Sequence, residues 1–133
     1  MTSAMALILN STIQQSGGGN TFGPTTPTTS TFYVGDTNNT SGTTYIAYLF
    51  ANDTTTSGNI QCGNYSGNGS ATGPIVNLGW EPQYVMIKNI GATGSWQIID
   101  NMRGMTVGTS DTALQTNAAT AETAVDYISP TAT

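Results

Sequence analysis

Thr43–Ala51 reads TTYIAYLFA. Tyr45, Ala47, Leu49 and Ala51 alternate with Ile46, Tyr48 and Phe50, so at strand period both faces are apolar. A strand that is apolar on both sides belongs inside a sheet that is covered on both sides. The stretch therefore predicts an all-β fold with 43–51 as a central strand. Tyr84–Ile90, YVMIKNI, is a second strand candidate, bounded by Glu81-Pro82 before it and Gly91 after it. Shorter candidates lie at 31–34, 60–65, 74–78 and 95–100.

Turn chemistry separates them. Ser66–Ser70 (SGNGS) and Asn89–Gly94 (NIGATG) supply residues that tolerate positive φ. Short strands at this spacing predict an antiparallel β-sandwich-like module. One stretch conflicts with that pattern. Residues 112–124 are alanine-rich, Leu114, Ala118, Ala121 and Val125 fall at helical spacing, and Asp111 stands where a helix N-cap would.

An internal repeat gives the opposite expectation. The opening MTSAMALILNST and the later MTVGTSDTALQTNAAT share an order of features: Met-Thr, then Ala-Leu, then Asn, then Pro-Thr. Ala6-Leu7 corresponds to Ala113-Leu114, Asn10 to Asn117, and Pro27 to Pro130. Leu7-Ile8-Leu9 reads as strand, so Ala113–Thr116 should be strand too. Self-similarity of this kind marks arrays in which each unit buries surface against its neighbours. On this reading 1–35 ends one repeat unit, 36–104 is the core β module and 105–133 begins the next unit. The chain is then one unit of a longer tandem or fibrous array.

Composition limits what such a module could do. Charged residues are 7% of the 133, against about 25% in an ordinary globular protein. The surface is built from Thr, Ser, Asn, Gln and Gly, so salt should change its contacts little. Lys88 and Arg103 are the only basic residues and the net charge is −5. Phosphate neutralisation needs several cations on one face, so no nucleic-acid partner is expected. With no His and one Cys, a zinc or copper site has almost no ligands, and neither metal nor cofactor is expected. No apolar run approaches the roughly 18 residues of a membrane span.

The run from Thr43 to Gly104 carries TYIAYLFA, CGNYSGNGSATGPIVNLGWEPQYVMIKN and SWQIIDNMRG. It resembles a β-rich domain of unassigned function found in virion proteins of tailed phages, especially those of marine bacteria and cyanobacteria. The flanking ALILNST and PTTSTFYVG segments share the resemblance, and its most specific parts are Gly63–Gly69 and Gly79–Lys88. It implies a structural component of the virion surface, in a tail fibre or a decoration. The partners implied are further copies and other virion proteins. It implies no catalytic residue.

Individual side chains keep two readings. Trp80, Tyr84 and Trp96 could form a sugar-stacking platform for host surface polysaccharide, or they pack a core or subunit interface. Tyr65, in the glycine-rich turn, is the better exposed aromatic. Lys88, in an apolar strand, could snorkel, pair with Asp100 or Glu81, or join an Asn in an isopeptide bond. Asp36 with Asn38 and Asn39 could hold calcium weakly, or form a polar hairpin turn. The scattered acids form no catalytic pair for glycoside cleavage, and without His no Ser-His-Asp or Cys-His system is possible. The expectation is a non-enzymatic virion structural module. Glycan-binding adhesion is the alternative.

Overall fold

The computed structural model describes residues 5–17, 28–53, 55, 59–105, 107, 110–125 and 128–130. The fold is all-β, with no α-helix among these residues. Two strands near the start, β1 (Met5–Ala6) and β2 (Ser16–Gly17), pair antiparallel. A single 3-10 turn follows at Asp36–Asn38. The main sheet is an antiparallel meander of β3 (Tyr84–Ile87), β4 (Gln97–Asp100), β5 (Asp111–Gln115) and β6 (Thr123–Val125), in that order.

The local sequence explains the hairpins. Between β3 and β4, Asn89 Oδ1 accepts the Gly91 and Ala92 amides at 2.9 and 3.0 Å, a side-chain-built turn. Between β4 and β5, Gly104 takes φ +104°, a conformation that a side chain disfavours. Just beyond it, the Met105 amide returns to the Asp100 carbonyl at 3.1 Å.

The register puts Val85, Ile99, Ala113 and Thr123 in one row across the sheet. Ile99 and Ala113 are buried there with Met105, and Val85 and Ile128 pack against them. Asp111 is also fully buried, and its Oδ2 accepts the Ile128 amide at 2.8 Å. Asp111→Ala leaves that amide without its acceptor and opens a void, at a cost of about 2–3 kcal/mol. We expect the thermal midpoint to fall by roughly 5–10 °C. Asp111→Asn keeps an acceptor and should lose less, as thermal circular dichroism would show.

Three sequence expectations need correction. The helical spacing over 112–124 does not produce a helix: Asp111, Thr112 and Ala113 pair with Val125, Ala124 and Thr123. Pairing onto the open edge of β4 outweighs the helix preference of a few alanines, and of the expected strand Ala113–Thr116 the residues up to Gln115 lie in β5 while Thr116 lies in the turn after it. The strands are also shorter than expected, with 84–90 reduced to Tyr84–Ile87 and 95–100 to Gln97–Asp100.

The largest correction concerns 43–51, which is neither strand nor central. Ile46 and Tyr48 are each 83% exposed, and Leu49 and Phe50 are exposed too. Residues 31–34, 60–65 and 74–78 likewise form no strand, and Ile75 is 94% exposed. A strand needs a hydrogen-bonding neighbour, and among the described residues the four-stranded sheet is assembled entirely from 84–125. The sheet also crosses the 104/105 division, drawing two strands from each side.

Candidate functional site

The chemistry of the molecule concentrates at the end of the sheet where β3 turns into β4. Continuing the register by one residue places Lys88, Trp96 and Thr116 in one row on one face. All three donate side-chain hydrogen bonds to carbonyls of the N-terminal segment. Thr116 Oγ1 donates to Leu9 O at 2.6 Å, Trp96 Nε1 to Ile8 O at 2.9 Å, and Lys88 Nζ to Thr12 O at 3.3 Å. Two amides add to this, Gly94 to Thr12 O and Gln15 to Ile90 O. The N-terminal segment is thus strapped across the sheet. Leu9 and Thr116 are the positions that the expected repeat would align, and they are joined by this hydrogen bond.

Trp96 is fixed from both sides. Its amide donates to Asn117 Oδ1 at 3.0 Å, and Asn117 Nδ2 donates to Ser95 Oγ at 3.1 Å. Its half-buried ring is a tie within the chain. Among the described residues Lys88 meets no carboxylate: its second acceptor is Asn89 O at 2.9 Å. Asp100 is occupied by Arg103, so neither a Lys88–Asp100 pair nor an isopeptide arrangement through that acid is formed.

Arg103 closes the other end. Its Nε and Nη2 both reach Asp100 Oδ2, and its Nη1 lies 3.6 Å from Glu122 Oε1. The guanidinium holds the Asp100 carboxyl below its ordinary range. A carboxyl depressed in the folded state adds stability above its unfolded pKa of about 3.9 and loses it as pH falls through the folded value. Melting temperatures should therefore hold steady from neutral pH down to about pH 4 and drop below it. Asp100→Asn should flatten that acid limb. Asp53, held down by the Thr55 amide, adds to the same limb.

Beside the strap lies an open cleft of about 310 Å³ lined by Tyr65, Gly67, Ile87, Lys88, Asn89 and Ile90. Of the four aromatic candidates only Tyr65, 51% exposed, borders it. Tyr84 stands at the start of β3, 54% exposed, with its hydroxyl 3.8 Å from Met86 Sδ. Trp80 is half-buried with its indole N–H lacking an acceptor.

Asp36, Asn38 and Asn39 stand at the 3-10 turn, and no group of three acidic, His or Cys side chains comes together among the described residues. Nor is any helix among them long and apolar enough to cross a membrane. The clamping roles of Thr116 and Asn117 were missed in the sequence. The repeat, which aligns them with the N-terminal segment, was the signal that could have found them.

A family model described as a domain of unknown function, DUF7483, matches residues 1–129. No curated protein and no solved structure is significantly similar to the chain.

Proposed function

The chain belongs to the DUF7483 family, and we propose that it is a structural module completed only by packing against further copies of itself. One observation carries this reading: the strand-patterned segment 43–51 lies outside the sheet, with Ile46, Tyr48, Leu49 and Phe50 exposed on both of its faces. An uncovered apolar stretch of this kind marks a surface that another chain covers.

The small core points the same way. Ile99, Met105 and Ala113 are its only buried apolar residues among those described, while Ile46, Tyr48, Leu49, Phe50, Ile75 and Val76 stand in water. The arrangement suits a fibrous or tandem array in which neighbours supply the second layer of a β-sandwich. Following the resemblance carried by Gly63–Gly69 and Gly79–Lys88, we place that array on a virion surface, in a tail fibre or decoration. Sedimentation of the purified chain tests assembly, and immunogold labelling of purified virions tests location. A monomer at tens of micromolar, or unlabelled particles, would contradict the respective half.

The cleft at Tyr65 favours a second reading, adhesion to host surface polysaccharide. An exposed ring beside a lysine and an amide suits a saccharide, the ring stacking on the C–H face and Lys88 and Asn89 meeting hydroxyl or carboxylate groups. On this reading Tyr65→Ala weakens binding of host polysaccharide at least tenfold in a titration and leaves sedimentation unchanged. Equal binding by both proteins would remove the cleft from consideration.

A further inference from the structure

Resting on the self-assembly reading, we infer that residues 43–50 of one copy pair as a strand with the outer edge of β3 in a second copy. The donor is the stretch with the strongest strand pattern in the chain, yet it pairs with no strand among the described residues. Among the described residues, 44–52 make no backbone hydrogen bond to any other part of the chain. Their side chains alternate as a strand covered on both sides would require, and both sets face water. No charged residue interrupts the window between Asp36 and Asp53. A long, uncharged, apolar segment with free backbone groups is the chemistry that adds to a sheet edge.

The acceptor follows from comparing the two edges. β3 and β6 flank the meander. β6 has three residues, and the residue before it, Glu122, is drawn toward Arg103. β3 has four residues with no charge among them, and Tyr84 and Met86 project from it 54% and 43% exposed. Natural edges are usually guarded by charges, prolines or bulges within the strand. On β3 the guards, Pro82 and Lys88, stand outside it.

A second copy is the occupant because one chain carries both halves of the joint. Each copy offers an unpaired segment and an unpaired edge, so the same contact repeats and every copy is satisfied, in a closed ring or a filament. Both mating elements are uncharged, so the net charge of −5 on each copy is not concentrated at the joint.

The test uses the whole chain with the photoreactive residue p-benzoylphenylalanine incorporated at Tyr48, mixed from isotopically light and heavy copies. Illumination should yield light-to-heavy crosslinks that map to the peptide holding Tyr84–Lys88. Crosslinks confined to one chain, or between copies at another peptide, would overturn the pairing while leaving self-assembly standing. A chain that sediments as a monomer and gives no intermolecular crosslink would overturn both. As a second variant, Met86→Lys puts a charge on the acceptor edge at an exposed position. It should weaken association at least tenfold without lowering the melting temperature of the dilute chain, and unchanged association would reject β3 as the acceptor.

Discussion

Replacing Ile46 and Tyr48 together by lysine should dissociate the assembled protein into monomers at concentrations where the parent chain is fully associated. In a single copy both side chains are 83% exposed, so the change removes almost no packing from the chain itself. Between copies the cost is large. Fully burying an isoleucine or a comparable side chain is worth about 1.5–3 kcal/mol, and two lysine ammonium groups would have to be desolvated or displaced as well. Each 1.4 kcal/mol is a factor of about ten in affinity, so association should weaken at least 100-fold. A control separates charge from contact. Asn38→Lys with Asn39→Lys makes the same change in net charge at exposed polar positions and should leave the sedimentation profile as it was. Equal association of all three proteins would show that 43–50 is not an interface.

The second large effect concerns the strap. Trp96→Ala removes the indole whose Nε1 holds Ile8 O and its half-buried ring, while the backbone amide keeps its bond to Asn117. A buried tryptophan cut to alanine costs about 3–5 kcal/mol. Trp96 is half-buried, so about 2–3 kcal/mol is expected, with a lower melting temperature. The local consequence is more diagnostic than the global one. Release of the N-terminal segment should expose Leu7–Leu9 to thermolysin, giving an early cut in the variant that the parent chain resists. Trp96→Phe keeps an aromatic ring but loses the N–H donor and part of the indole's packing, so its deficit should lie between about 1 kcal/mol and that of the alanine variant. Cleavage at the same rate in all three proteins would mean that the strap is held elsewhere.

What the sequence conveyed depended on whether a feature is local. β3 and β4 were legible because Tyr84–Ile87 and Gln97–Asp100 carry their own strand residues, with an asparagine turn between them. Residues 112–124 were ambiguous because alanine and threonine fit either period. Pairing with β4 and β6 decided the outcome, and only the repeat pointed to it. For 43–51 the pattern was read as a central strand, and the segment instead lies outside the sheet with its apolar side chains exposed. Periodicity reports what a segment can bury and is silent on which chain covers it. Trp96 shows a similar limit. Its type announces packing or stacking, but its acceptor lies 88 residues away on Ile8, a pairing that only the folded topology creates. The cleft was half legible: Tyr65 was marked by its glycine-rich turn, whereas its neighbours Lys88 and Asn89 come from the end of a different hairpin arm.

The backbone amides of residues 44–52 test the central claim most directly, by hydrogen exchange of the native protein at its working concentration. They make no hydrogen bond within the described residues of one chain, so in an isolated copy they should exchange at the rate of an unstructured peptide. Pairing between copies predicts slow exchange at the alternate amides of 43–50 that face β3, and its loss on dilution or in the Ile46→Lys, Tyr48→Lys variant. Unprotected amides at 44–52 in a protein that protects β4 would contradict the account.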